Sequence, residues 1–516
     1  MAAFRIHKAN SLTAYQQLVD RFQQIHRLDH ATTFLSWDQM VMMPERGNEA
    51  RSASMAEIAG IRHSLLTADE LPDLFAEADS ELPQLPPEQR ALQSRSLHEM
   101  QRSWGESNCL PAELVKAKIM VGSRCEHGWR SQRADNDWPG FLKNFREVVK
   151  LAREEASLRQ AAAITEIATP YEALLDLHCA GDTQAMIDQA FARLRQTLPE
   201  LLQQVVEKQS TRPTQSMQGV YPVAQQKQLS EALMQSLGFD FSAGRLDVSL
   251  HPFSTGVQGD LRITTRYSED EFAQALQATA HETGHSSYEG GLPSQWQGLP
   301  VGQSRNMCIH ESQSLLFEKQ LFLSRAFTEY FTPAVHRELS AASNFDAETL
   351  WRAYTVVEPG YIRVEADEVT YPLHVILRYE IESALINGEI EADVIPDMWH
   401  QRMQSYLGLS TEGDYTRGCL QDIHWTDGAF GYFPSYTLGA LNAAQLFASI
   451  RQSNPDWQQR LQQGEITFIR DWLEEHIWSQ GCLHGSQQLM INATGEGINA
   501  DYFLQHLQAR YLDEAY

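Results

Sequence analysis

Apolar positions along the chain recur mostly at helical spacing. In residues 12–29, LTAYQQLVDRFQQIHRLD, Leu12, Tyr15, Leu18, Phe22 and Ile25 fall on one side of a 3.6-residue repeat, which predicts an amphipathic helix. The same pattern returns from Asn48 to Leu66, from Phe141 to Leu158 and from Thr183 to Lys208. It is interrupted at Leu82–Pro87 (LPQLPP) and across Ser210–Pro222, where proline, serine and glutamine accumulate. One segment alternates instead. Residues 260–267, DLRITTRY, are alternating and rich in β-branched residues, and predict a strand. Residues 246–253 (LDVSLHPF) are expected to pair with it as a hairpin through STGVQG. No repeat of 20–50 residues interrupts this picture. The pattern predicts a mostly α protein with a small sheet.

That sheet immediately precedes HETGH, residues 281–285. Ser268-Glu-Asp-Glu271 reads as a capping box, with acidic residues suited to the positive end of a helix. Phe272, Leu276 and Ala280 give the helix a buried stripe, and Gly290-Gly291 stops it. His281 and His285 then stand one turn apart on one face. Two imidazoles so placed suit one tetrahedral zinc, and Glu282 suits a general base beside it. Catalytic zinc needs a third protein ligand and an open fourth position. Glu311 in HESQSLLFEKQLF, 26 residues after His285 and beyond the connection GGLPSQWQGLPVGQ, is the expected third ligand. Such a site activates water, takes its proton on the glutamate and passes that proton to a leaving amine.

Composition narrows the partners. The chain of 516 residues has 42% apolar content and a formal net charge of -26. The acidic balance argues against nucleic acid or an anionic membrane, since phosphate binding needs clustered lysine and arginine. Six cysteines (Cys109, Cys125, Cys179, Cys308, Cys419, Cys482) form no CxxC pair and fit reduced thiols in a cytoplasm. The start, MAAFRIHKANS, has no apolar core of signal-peptide length, and no stretch approaches ~20 apolar residues.

Several motifs besides HETGH resemble those of the Taq-type thermostable metallocarboxypeptidases, zincins related in fold to the neurolysin-type oligopeptidases and angiotensin-converting enzyme. They are His251-Pro252-Phe253; Asp260, Arg262 and Thr264 in a D-x-R-x-T strand; and His310, Glu311, Ser312 and Gln313. Ile362, Arg363, Ala366 and Asp367 follow in I-R-x-x-A-D, then Gly418, Gln421, Asp422, His424 and Trp425. LSWDQMVMMPERGNEARS (35–52) and TGEGINADYFLQHLQARY (494–511) extend the resemblance to both ends; Glu45 replaces a proline often found there.

The resemblance implies a nearly all-helical, saddle-shaped zincin with a deep groove, in which residues 1–516 form a single metallocarboxypeptidase unit. Residues 1–210 are expected to form one groove wall and 211–516 the catalytic part. It implies a cytosolic enzyme, usually a homodimer, that uses zinc (cobalt also serves) and releases single C-terminal amino acids with broad preference.

A carboxypeptidase must bind a free carboxylate, and arginine does so through two parallel hydrogen bonds. Arg262 and Arg363 are the candidates, with His251 nearby. His424 is expected to face the substrate, and Tyr432 and Tyr436 in GAFGYFPSYTLG to donate to an oxyanion. Asp367 is expected either to fix an imidazole or to pair with Arg363. His310 reads as a residue surrounding the site, and Cys308 as a buried thiol. Two other readings are an endo-acting zinc oligopeptidase and a metal-binding scaffold without activity. Glu282 argues against the scaffold, which needs no general base.

Overall fold

The computed structural model describes residues 12–212, 216–217 and 219–515. The opening MAAFRIHKANS and part of the 210–222 break lie outside them. Among the described residues the chain is a succession of helices with one three-stranded sheet. No described helix is long and apolar enough to cross a membrane.

Contacts divide the chain into two compact units. The first comprises the described part of Met1–Cys109 together with Leu292–Gln303 and Gln480–Leu483. Its first helix, Ala14–Val41, extends well beyond the 12–29 stretch. Thr13 and Gln16 form a capping box there, which satisfies amides that otherwise lack partners. Leu18, Phe22 and Ile25 are buried as the spacing predicts, packing with Phe75, Leu97 and Met100 from the next helices. The Asn48–Leu66 helix forms as expected, yet among its residues only Leu66 is buried.

The second unit holds Leu110–Gly291, Ser304–Ser479 and His484–Tyr516. The Phe141–Leu158 pattern lies within helix Trp138–Ala162, and Thr183 caps helix Gln184–Ser210. Phe141, Phe145, Leu194, Leu198 and Trp425 belong to one large buried core.

The sheet departs from the expected hairpin. Strand β1 (Gly244–Val248) runs parallel to β3 (Asp260–Thr265), while β2 (Phe253–Val257) forms the hairpin with β3; the order is β1-β3-β2. Val257 opposes Asp260, so the turn is only Gln258-Gly259, and Gly259 takes φ +86°. The segment 246–253 therefore splits between two strands, because the tight turn selects the nearer partner. β3 lies in the middle and buries Ile263, Thr264 and Thr265.

Helix Ala273–Gly291, which carries HETGH, begins later than the capping box predicted. Ser268 hydrogen-bonds Asp270 instead of a helix amide. The cap comes from Glu271, whose carboxylate accepts from the Gln274 amide at 3.1 Å. Leu276 and Ala280 bury the predicted stripe, and the helix packs on β2, β3 and the Glu311 helix.

Candidate metal centre

Helix Met307–Leu315 carries Glu311 and is capped by Asn306, whose side chain accepts from the Ile309 amide. Glycines set its place. A Cβ on Gly284 of the HETGH helix would lie 2.5 Å from the Gln313 carbonyl oxygen. A Cβ on Gly439, in helix Pro434–Ser453, would lie 2.6 Å from Glu311 Cγ. The Glu311 helix is thus wedged between two backbones at contact that only glycine permits. It continues as a π-helical turn over Leu316–Phe322. Such widened turns re-aim side chains and are frequent at functional sites.

The three expected ligands converge. One donor atom from each of His281, His285 and Glu311 lies within 4.8 Å of the others, and among the described residues they form the one such group. His285 Nε2 stands 3.5 Å from Glu311 Oε2, and His281 Nε2 4.0 Å from Glu311 Oε1. Two imidazoles and a carboxylate at this spacing suit a divalent ion of the zinc type.

The second imidazole nitrogens are arranged to match. His281 Nδ1 donates to Glu318 Oε2 at 2.9 Å, leaving Nε2 to face Glu311. Burial raises the Glu318 pKa, but Lys319 and His281 outweigh it and hold the carboxylate at about 2, so it can only accept. His310 stacks on His285 with ring centroids 4.5 Å apart and reaches Glu289 at 2.9 Å. His310 thus supports the site, as the sequence suggested.

Burial and crowded charge dominate the electrostatics of this group. Burial lifts Glu282 to about 7, with Glu311 and Glu318 adding and His281 and His310 opposing. Burial also raises Glu311 and drives His285 well below its ordinary value. For His281 burial acts downward, yet the carboxylates of Glu311, Glu318 and Glu282 lift it to about 9. A bound divalent cation relieves this crowding of buried carboxylates.

These groups line a cleft of about 550 Å³, all of it within the second unit. His281, Glu282, His285, Glu311, Tyr432 and Tyr436 meet there. The two tyrosine rings meet edge to face, with centroids 5.3 Å apart. Burial pushes both phenols up, so they stay neutral donors. His424 is not among the described lining residues; its ring stacks behind Tyr432 with centroids 6.4 Å apart. Burial, helped by Arg378, lowers it to about 4, so the imidazole is neutral near pH 7.

Both candidate arginines have partners within the chain. Arg262 makes a bidentate pair with Asp260 of its own motif, at 3.0 Å for each bond. Arg363 is buried; Nε and Nη2 pair with Asp422 at 3.0 and 2.9 Å, and Nη1 donates to the Tyr371 hydroxyl at 2.8 Å. Its guanidinium carbon lies 4.9 Å from the Phe433 ring centroid and 5.7 Å from that of Tyr436. Neither arginine is among the described residues lining the cleft. His251 is exposed, and its triplet meets the cleft through Pro252 and Phe253 instead. Asp367 fixes no imidazole and does not pair with Arg363. It caps a turn, accepting from the amides of Glu358, Val369 and Thr370 at 2.9 Å each. Cys308 is a fully buried thiol.

Sequence reading missed Glu318, Tyr371 and His178. Glu318 had a signal, since it follows Glu311 by seven residues, about two helical turns. Tyr371 lines the cleft, and His178 packs edge-on against Tyr432 at 5.0 Å. No local pattern announces either.

Comparison with known proteins agrees over nearly the whole chain. Residues 17–511 match the family model described as carboxypeptidase Taq (M32) metallopeptidase. Thermostable carboxypeptidase 1 of Thermus thermophilus is 34% identical over 504 residues, covering 96% of this chain and 98% of its own. Carboxypeptidase 1 of Bacillus subtilis is 32% identical over 505 residues, covering 97% and 98%. The structure of Trypanosoma cruzi metallocarboxypeptidase 1 superposes with a TM-score of 0.93 at 39% identity, covering 97% of this chain and 99% of that one. With its helical zincin architecture, its divalent-metal donor set and relatives along its full length, the chain belongs to the carboxypeptidase Taq (M32) metallopeptidase family and is a metallocarboxypeptidase.

Proposed function

We propose that the enzyme is a zinc carboxypeptidase that removes single residues of broad identity from the C-terminus of peptides, with Glu282 as general base. The observation that carries this reading is Glu282 itself. It is buried in the cleft beside the three converging donors, with a pKa lifted to about 7. A general base works best with a pKa near the working pH.

Zinc held by His281, His285 and Glu311 (cobalt fits the same donors) supplies a Lewis acid that polarises a carbonyl and acidifies water. Glu282 takes the proton of the attacking water and returns it to the departing amine. Tyr432 and Tyr436 present neutral hydroxyls to the oxygen on which charge develops. His424 and His178 pack against Tyr432 and fix its ring. Arg363 acts through the aromatic residues it holds, Tyr371 above all, and Arg262 through Asp260 at the sheet that carries Pro252 and Phe253 to the cleft. A cytosolic homodimer is part of this reading and rests on the family resemblance. Sedimentation of the purified protein tests the dimer.

Mass spectrometry of a peptide mixture digested by the zinc-loaded enzyme tests the reaction. Residues are expected to leave one at a time from free C-termini, and C-terminally blocked peptides to remain intact. Internal cleavage of blocked peptides would instead establish an endo-acting oligopeptidase.

A further inference from the structure

A hydroxyl that stabilises an oxyanion is effective when it is already in place as the charge develops. Tyr432 lies in neither a helix nor a strand. It belongs to the short connection between the 3-10 turn His424–Thr426 and helix Pro434–Ser453. The chain doubles back there, with the Ala429 amide donating to the His424 carbonyl at 3.0 Å. Such a turn holds its shape only if neighbouring elements fix it.

Helix Tyr371–Ile386 reaches that turn with one face, on which Tyr371, Arg378 and Glu382 recur at helical spacing. Tyr371 lines the cleft; Glu382 is fully buried and is not among the described lining residues. Four donors converge on the Glu382 carboxylate. Oε1 accepts from Trp425 Nε1 at 2.6 Å and from Arg378 Nε at 3.1 Å. Oε2 accepts from the Gly431 amide at 3.2 Å and from the Tyr171 hydroxyl at 3.3 Å. Trp425 directly follows His424, and Gly431 directly precedes Tyr432. One carboxylate therefore ties the two ends of the turn together. On its other side Gly431 lies against a second backbone, where a Cβ would stand 2.7 Å from both the Leu174 carbonyl carbon and the Leu175 nitrogen. The Gly431 peptide is thus gripped from two directions, one residue from the hydroxyl-bearing ring. An ionised acceptor makes that grip roughly twice as strong as a neutral one. Arg378, which also pairs with Asp422, supplies the counter-charge that burial demands.

We infer that Glu382 is a positioning residue for the hydrolysis. It acts from outside the cleft by holding Trp425 and the Gly431 amide, so that the Tyr432 hydroxyl stands ready for the developing oxyanion. This inference rests on the oxyanion role proposed above for Tyr432.

A double-mutant cycle in the full, zinc-loaded chain tests it, with kcat per bound zinc on a short peptide as the readout. Glu382→Gln keeps the length of the side chain but gives up its charge and one acceptor oxygen. It is expected to lower kcat roughly ten- to a hundredfold and to leave KM within a few-fold, since a donor displaced costs less than the roughly 10²–10³-fold of a donor removed. Tyr432→Phe alone is expected to lower kcat by about 10²-fold. The double variant should stay within a few-fold of Tyr432→Phe, because nothing is left for Glu382 to position. A role confined to the fold or the metal centre multiplies instead. The same loss from Glu382→Gln in both backgrounds therefore overturns the inference, as does an unchanged kcat in Glu382→Gln. Should Glu382→Gln not fold, Trp425→Phe runs the same cycle, since it removes the 2.6 Å bond and leaves Arg378 paired with the carboxylate. A wild-type kcat in Tyr432→Phe overturns the Tyr432 assignment and this inference together. The carboxypeptidase reading is judged separately, by whether the wild-type enzyme releases C-terminal residues.

Discussion

Two buried charged clusters lie in the catalytic unit, and they are built on opposite principles. Around Asp422 the charges pair with one another within the chain. Arg363 and Arg378 both pair with it, Arg378 also reaches Glu382 at 3.1 Å, and Trp425 donates to Glu382 at 2.6 Å. Arg363 and Arg378 hold Asp422 at about 2 against the opposing effect of burial. Around His281 the carboxylates of Glu282 and Glu311 face each other with too little positive charge, and burial lifts both. A protein interior tolerates such an excess where a ligand completes it. The first cluster holds the aromatic wall of the site, and the second is where the chemistry belongs.

The contrast is sharpest for single substitutions. Glu282→Gln is expected to lower kcat by roughly 10²–10⁴-fold, the range of a general base. Zinc content, measured by mass spectrometry, should remain at wild-type level because Glu282 is not a ligand. Full hydrolysis by this variant would remove the proposed mechanism.

Next in size is a difference of sign in the metal-free protein. Asp422→Asn leaves two buried guanidiniums without their shared carboxylate and should cost about 3–5 kcal/mol in denaturant unfolding. Glu311→Gln removes a crowded negative charge and should leave the metal-free protein equally stable or more so, while abolishing tight zinc binding. Equal destabilisation by both would dissolve the distinction between the clusters.

A smaller effect is expected from Glu318→Gln. Carboxylates that orient a ligand histidine typically contribute 10–100-fold in metal affinity. Competition with a chelator measures that loss, and no change would show His281 to be oriented by packing alone.

The smallest effect is a slope. Without metal, His281 keeps its proton up to about pH 9, and zinc requires the neutral imidazole. Affinity should therefore rise with pH until about 9, by up to roughly tenfold per unit from this group. Calorimetry in buffers of different ionisation enthalpy should show protons released on binding at pH 7.5. Proton uptake would contradict the direction of the His281 shift.

The sequence disclosed local spacing well and partner choice poorly. His281, Glu282 and His285 were legible because one helical turn fixes which side chains share a face. Glu311 needed only a connection long enough for a second helix to pack back. Glu318 carried a signal in its seven-residue spacing from Glu311, but the chain widens into a π turn from Leu316, where a 3.6-residue reading is a poorer guide to which way a side chain faces. The arginines show the deeper limit. A motif brings Arg363 near the site, but nothing in I-R-x-x-A-D says that Asp422, 59 residues on, will claim its guanidinium. The strand pairing failed for a similar reason. β1 lies nearest to β2 in sequence, yet it pairs in parallel with β3 across an intervening hairpin, a choice made by the assembled sheet.

Gly284 and Gly439 give the site a peculiar response to change. Most active sites adjust by degrees, as flanking side chains grow or shrink and neighbours repack. Here the smallest possible addition on either side, one methyl group, already meets the Glu311 helix at less than contact distance. Gradual remodelling through these two positions is closed to natural drift and to laboratory evolution alike. Change at the cleft meets less resistance at Val364, a lining residue that is 70% exposed.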